Sequence, residues 1–67
     1  MMLDMTIHPI MKSLLKIVSK HPEGITAIEL SNILSLKYPF EADVQIYIRQ
    51  ALDTSLVRLG KKLRIYP

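Results

Sequence analysis

The side chains with the clearest chemical character are four cations near residue 60. Residues 58–64 contain four of the nine lysines and arginines, whereas residues 1–57 carry five cations and six acids, a net charge of −1. The net charge of +3 therefore comes from one short stretch. Clustered cations of this kind attract an anionic partner. The four residues are Arg58, Lys61, Lys62 and Arg64.

A hairpin is the element that would position these cations. Residues 56–59 and 62–66 are predicted to be two short strands, and a two-residue turn at Gly60-Lys61 fits a type II′ geometry, in which glycine supplies the positive φ. In the second strand the apolar Leu63 and Ile65 alternate with polar neighbours, the period of a half-buried strand. We expect one face of the hairpin to pack on the protein and the other to carry the cations.

The preceding residues, 42–54, are predicted to form a helix with a polar outer face. Glu41 and Asp43 lie in or before its first turn, where the helix dipole favours negative charge. At 100° per residue, one face is apolar: Val44, Tyr47, Ile48, Ala51 and Leu52. The opposite face holds Gln45, Ile46, Arg49, Gln50 and Asp53. Arginine can pair with guanine or phosphate and glutamine with adenine, so this face is a candidate for contact with nucleic acid.

Catalytic and metal-binding constellations are not predicted. His8 and His21 lie at opposite ends of the first predicted helix, about 20 Å apart, which is too far to share a metal. There is no cysteine, and the two glycines lie too far apart in sequence for a phosphate-binding loop. We therefore predict that the protein is not an enzyme and uses no cofactor or metal.

The first half of the chain supplies two further helices. Pro9 opens a helix whose apolar face contains Ile10, Leu14, Ile17 and Val18, and Pro22 and Gly24 end it. Gly24-Ile25 is long enough only to pair with the hairpin as a third strand. Thr26 and Glu29 have the spacing of a capping box at the start of a second helix, over residues 27–36. The inner stripe of this helix is predicted at Ala27, Leu30 and Leu34.

Residues 37–41 separate the second helix from the third. Pro39 disfavours helical geometry at Tyr38. We expect Tyr38 and Phe40 to fill the core between helices, since a small domain needs its aromatic side chains inside. Lys37 is a further candidate contact for an anion.

Length and composition predict one small intracellular domain. With 67 residues, of which 49% are hydrophobic, the chain is expected to fold as one domain over residues 9–67, preceded by an N-terminal arm at 1–8. That arm either frays or packs on a partner. No apolar run approaches the ~20 residues of a membrane span, and the acidic N-terminus is not a secretory signal. We predict a cytoplasmic protein without a membrane partner.

The order helix, short strand, helix, helix, hairpin resembles the winged helix-turn-helix family, an α+β fold of three helices with a small β-hairpin. The resemblance covers roughly residues 9–66. The stretches that carry it are residues 24–31 (GITAIELS), 48–52 (IRQAL) and 56–60 (LVRLG). It implies that residues 42–54 enter a major groove and that the wing, with its tip at Gly60-Lys61, grips the backbone or minor groove.

Two departures from that family keep a second function open. The link at residues 37–41 is longer than the tight turn of many members, and Glu41, Asp43 and Asp53 place acids near the surface that would approach phosphates. Winged helices also serve as protein-interaction modules. The alternative is therefore an adaptor that docks on a larger regulator, polymerase or secretion component through Ile46, the N-terminal segment and Tyr66.

The principal prediction is a small DNA-binding protein, a transcriptional regulator acting as a homodimer on double-stranded DNA and associated with the nucleoid. RNA binding, or another role, is a third alternative. The predicted contacts are Gln45, Arg49, Gln50, Arg58, Lys61, Lys62, Arg64 and Lys37.

Overall fold

Three helices support a small antiparallel sheet. The computed structural model describes residues 8–67, so the predicted N-terminal arm lies outside the described residues except for His8. The elements follow the order α1, β1, α2, α3, β2, β3, and the sheet order is β1-β3-β2. This is the predicted α+β fold, in a winged-helix-like arrangement. Their bounds are α1 Pro9–Ser19, β1 Ile25–Thr26, α2 Ala27–Lys37, α3 Gln45–Asp53, β2 Arg58–Leu59 and β3 Arg64–Tyr66.

α1 contributes one apolar face to the core. His8 caps its first turn, since the Nδ1 atom accepts a hydrogen bond from the Ile10 amide at 3.1 Å, and Pro9 follows at a position that needs no N–H donor. At the other end, His21 Nδ1 lies 2.9 Å from the Ile17 carbonyl oxygen. Of the predicted apolar face, Ile10, Leu14 and Val18 are buried and Ile17 is half-buried. Met11 is buried as well.

α2 begins directly where β1 ends. Thr26 is the last residue of β1 and the N-cap of α2, and its hydroxyl accepts a hydrogen bond from the Glu29 amide at 3.2 Å. This cap is the predicted one, and the predicted inner positions Leu30 and Leu34 are fully buried. Ala27, predicted on the same inner stripe, is exposed instead.

The two aromatic residues after α2 have different environments. Tyr38 is half-buried, and its hydroxyl donates to the Pro9 carbonyl at 3.3 Å and accepts from Ser13 at 2.6 Å. It therefore ties the end of α2 to the start of α1. The prediction that Phe40 fills the core is wrong, because its side chain is fully exposed. It lies in the turn that follows α2.

α3 is shorter than predicted at its start. It begins at Gln45 rather than residue 42, and Asp43, just outside, accepts a hydrogen bond from the Gln45 amide at 3.1 Å. The residues after α3 also differ from the prediction. Ser55 takes a left-handed conformation with φ 62°, and the Leu56 amide donates to the Ala51 carbonyl at 2.9 Å.

This C-terminal turn has the Schellman pattern. It uses serine where glycine is usual, so the residue types around it do not predict it. Because residues 54–57 are occupied by the turn, β2 contains only Arg58 and Leu59 rather than residues 56–59. Val57 is nevertheless buried in the core.

The hairpin differs from a two-residue type II′ turn. Gly60 is extended, with φ −121°, and a three-residue turn over Lys61–Leu63 joins the strands. The positive φ values fall on Lys62 and Leu63, both at 58°. The Gly60 amide donates to the Arg64 carbonyl at 2.8 Å and closes the tip. Leu63, expected to pack inward, belongs instead to the tip and is 71% exposed.

β3 is the central strand and contributes to the core. Ile25 pairs with Ile65 on one side and Leu59 pairs with Ile65 on the other. The predicted third strand is therefore present as β1, one residue later than the predicted 24–25. Ile65 is fully buried and belongs to the same core cluster as apolar residues of all three helices. None of the helices among residues 8–67 has the length and apolar character required to traverse a bilayer.

Candidate nucleic-acid interface

The outer face of α3 presents the polar side chains that the helical periodicity predicts there. Gln45, Arg49, Gln50 and Asp53 are exposed, and so is Ile46. They face away from the core because the other face is held inside by Val44, Ile48 and Ala51, which are buried, and by Tyr47 and Leu52, which are half-buried. The burial of one face therefore determines which side chains of α3 are available to a partner.

The charge on this face is mixed. Arg49 is the sole cation of α3, and the acids Asp43 and Asp53 lie at the two ends of the helix. Asp43 has a structural reason to be there, since it caps the Gln45 amide at 3.1 Å. α3 itself is therefore not a positive surface, and its contribution to a polyanion site would be hydrogen bonding rather than net charge.

An open groove of about 800 Å³ lies between α2 and the outer face of α3. Two exposed isoleucines line it, Ile28 of α2 at 75% exposure and Ile46 of α3 at 56%. Ser31 also lines it, and its hydroxyl is buried without a hydrogen-bond partner. The complete lining is Ala27, Ile28, Ser31, Asp43, Gln45, Ile46, Ile48, Arg49, Leu52 and Asp53.

Only two of the predicted nucleic-acid contacts line the groove. Gln45 and Arg49 line it, whereas Gln50 is exposed on the same helix outside the lining. The groove lining comes from residues 27–53 and includes none of the hairpin cations. Lys37 is exposed at the last residue of α2, next to the anchored Tyr38.

The hairpin cations have two kinds of environment. Arg58, Lys61 and Lys62 are exposed on β2 and the tip. Arg64 is half-buried, and its Nη1 donates a hydrogen bond to the Gly24 carbonyl at 2.9 Å. Arg64 therefore links β3 to the segment before β1, a structural role that its place in a cationic cluster does not indicate.

Sequence reasoning missed the exposed apolar residues around these sites. Leu59 and Leu63 lie in the hairpin at 55% and 71% exposure, and Ile28 lies at the groove. Ile28 lies between Thr26 and Glu29 in the capping-box sequence. That motif gives roles to Thr26 and Glu29 but does not predict on which face of α2 the Ile28 side chain lies. A helical wheel of α2 that starts at Thr26 would have placed it outside.

The histidines and acids of the described residues do not form a metal centre. Among residues 8–67, no cluster of three or more histidine, cysteine, aspartate or glutamate side chains could hold a metal ion. His8 instead caps α1, and its ring lies against Tyr47, with the ring centroids 4.8 Å apart. The His8–Tyr47 contact links the start of α1 to α3.

The chain has no significant match among protein-family models, curated proteins or solved structures.

Proposed function

We propose that this protein binds double-stranded DNA as a small transcriptional regulator. The observation that carries the proposal is the exposure of three polar side chains on one face of α3, in a domain whose hairpin exposes three further cations. The α3 side chains are Gln45, Arg49 and Gln50, and the cations are Arg58, Lys61 and Lys62. The winged-helix-like arrangement of the elements supports it.

α3 supplies base recognition in this proposal. An exposed arginine can donate two hydrogen bonds to guanine, and an exposed glutamine can pair with adenine in the major groove. Arg49 and Gln45 lie one helical turn apart and both line the groove with α2. Ile46, between them and exposed, is placed to contact a thymine methyl group.

The hairpin supplies most of the affinity. Arg58, Lys61 and Lys62 neutralise phosphates, with Lys37 as a further contact, and Arg64 contributes charge while it remains bonded to Gly24. Each neutralised phosphate adds about 0.9 to the slope of log K against log salt. Four to six contacts therefore predict a slope on the order of −4 to −5.

So few phosphate contacts give weak binding by a single domain, which is a physical reason for two copies to act together. A homodimer would place its α3 helices on half-sites about 34 Å apart, or a multiple of that distance. A protein that acts in this way works in the cytoplasm, on the nucleoid.

Fluorescence anisotropy with a labelled random-sequence duplex tests the proposal. We expect saturable binding at low salt that weakens steeply as the salt concentration is raised, with the slope given above. Sedimentation of the free protein and of the complex measures the number of copies bound. No association with any duplex at low salt, or association that does not depend on salt, would refute the proposal.

The groove favours a second candidate, a protein-interaction adaptor. Ile28 and Ile46 expose apolar surface on facing helices, and the acids Asp43 and Asp53 lie among the other lining residues. Such a groove suits a helix or loop of a larger regulatory or polymerase complex. In that case the hairpin cations meet an acidic surface of that partner. Replacing Ile28 with serine would then abolish association with the partner, whereas the DNA-binding proposal gives Ile28 no contact and expects unchanged affinity for random duplex.

A further inference from the structure

The hairpin tip holds a leucine in an unusual setting. Three residues, Lys61, Lys62 and Leu63, connect Gly60 to Arg64, and the Gly60 amide closes the loop by donating to the Arg64 carbonyl at 2.8 Å. Leu63 is 71% exposed and follows two exposed lysines. Its side chain contributes nothing to the buried core. A large apolar group therefore stands on the outside of the basic hairpin.

The backbone at this point is strained. Lys62 and Leu63 both have φ 58°, in the left-handed region where residues other than glycine, asparagine and aspartate are uncommon. Glycine or asparagine would relax the tip at either position. Strain at an exposed position is an observation that suggests a function for the residue held there.

The base of the tip is held firmly by two contacts. The ring of Tyr66 packs against Gly60, and Arg64 donates to the Gly24 carbonyl at 2.9 Å. Tyr66 and Arg64 belong to the central strand of the sheet. The exposed leucine therefore lies in a short turn next to the central strand and not in a long loop.

We propose that Leu63 is an apolar wedge that enters the minor groove and partly unstacks one base step, while Lys61 and Lys62 neutralise the phosphates beside it. The inference rests on the proposed DNA binding and assigns the hairpin tip its ligand. Apolar side chains next to cations unstack and bend duplexes in this way. The preferred sites are flexible TA steps, because they kink easily and lack the guanine amino group that obstructs the minor groove.

A membrane surface is the other partner that a cationic apolar tip could contact, and the described residues favour DNA. Leu63, even together with the exposed Leu59 of β2, offers too little apolar area for stable anchoring in lipid, which requires an extended apolar face or two anchoring signals. A single side chain is, by contrast, sufficient to separate one base step.

The test uses the whole protein with two duplexes of equal length, one of alternating A and T and one of alternating G and C. In the first, 2-aminopurine replaces adenine at TA steps, so that unstacking raises its fluorescence. We expect wild-type protein to raise the fluorescence and to bind the A·T duplex more tightly. Leu63→Ala should remove the rise and weaken A·T binding about tenfold, the discrimination that one base pair commonly contributes.

Leu36→Ala is the matched control, because Leu36 is 83% exposed on α2. It should retain the fluorescence rise and the A·T preference. If wild-type protein binds both duplexes in a salt-dependent manner without a rise, or if Leu63→Ala keeps the rise, the wedge is refuted and DNA binding stands. If wild-type protein binds neither duplex, the proposed function is refuted and the wedge with it.

Leu63→Asn distinguishes loss of the apolar wedge from loss of folding stability. Asparagine tolerates the left-handed conformation, so this variant should melt at a higher temperature than wild type and still lose the fluorescence rise. A parallel titration with phosphatidylserine vesicles examines the membrane alternative. If Leu63→Ala loses vesicle binding while its A·T binding is unchanged, the wedge is refuted in favour of a lipid contact.

Discussion

The ring of Tyr66 lies so close to Gly60 that a Cβ atom at residue 60 would overlap its edge. The same ring would come within 2.8 Å of a Cβ atom at Gly24. Both glycines therefore make room for one aromatic side chain on the central strand. Gly60 has an extended φ of −121°, so space, and not a special backbone conformation, is what residue 60 requires.

Gly60→Ala should lower the free energy of unfolding by about 1–3 kcal/mol, the usual cost of overpacking. Urea denaturation measures the change. The same substitution in a Tyr66→Ala background should cost much less, because the ring that it would strike is absent. Equal costs in both backgrounds would show that the overlap is not the cause.

Replacing Arg58, Lys61 and Lys62 together with alanine should weaken binding to duplexes of every sequence. Because three cations that neutralise phosphates are removed, the slope of log K against log salt should become shallower by about 2 to 3. Anisotropy titrations at several salt concentrations give the slope. The control is the triple alanine variant of Lys12, Lys16 and Lys20, which are exposed on and just after α1, because it removes the same charge. Equal changes in both variants would indicate that only net charge matters.

Arg49→Ala should reduce discrimination between sequences more than overall affinity. A duplex selected from a random pool should lose about 1–3 kcal/mol of binding free energy, with a smaller loss for random duplex. Competition titrations measure both. Arg49→Lys keeps the charge but lacks the planar pair of donors. It should therefore retain random-duplex affinity while losing specificity; full specificity in Arg49→Lys would argue against recognition of a base by the guanidinium group.

Ser55→Gly should stabilise the fold by about 0.5 kcal/mol, because Ser55 has φ 62° in the turn that ends α3 and glycine adopts that conformation without steric cost. Thermal or urea unfolding is the measurement. Ser35→Gly, an exposed position within α2, should instead destabilise by roughly 0.5–1 kcal/mol. If both substitutions destabilise, the left-handed turn at Ser55 carries little strain.

The helices and their faces could be predicted from the sequence because their signals are local. Pro9 and Thr26 start their helices, and the spacing of apolar residues indicates the buried faces of α1 and α3. Even the two-residue strand β1 is predicted to within one residue, at 24–25 instead of Ile25–Thr26. The polar face of α3 is predicted correctly for the same reason, since the residues buried on one side of a helix determine which residues are exposed on the opposite side.

The sequence-based predictions are wrong where a residue contacts a partner far away in sequence or takes a conformation unusual for its type. Gly60 has the pattern of a turn glycine, yet it is required by the Tyr66 ring six residues later. Ser55 ends α3 in a conformation usually taken by glycine, which shortens β2. Phe40 is predicted in the core because a small domain needs its aromatic side chains inside, but it is exposed. Tyr38 packs against the core and is hydrogen-bonded to Ser13 of α1. Arg64 has a partner, Gly24, that is 40 positions away.

The place of β3 in the sheet has a consequence for synthesis. β3 follows every helix in chain order, yet it lies between β1 and β2 and buries Ile65 completely. While the chain is still emerging from the ribosome, the three helices are complete before the strand that joins the sheet exists. The apolar surface that Ile65 covers stays exposed for that interval, so closure of the core waits until β3 has been synthesised.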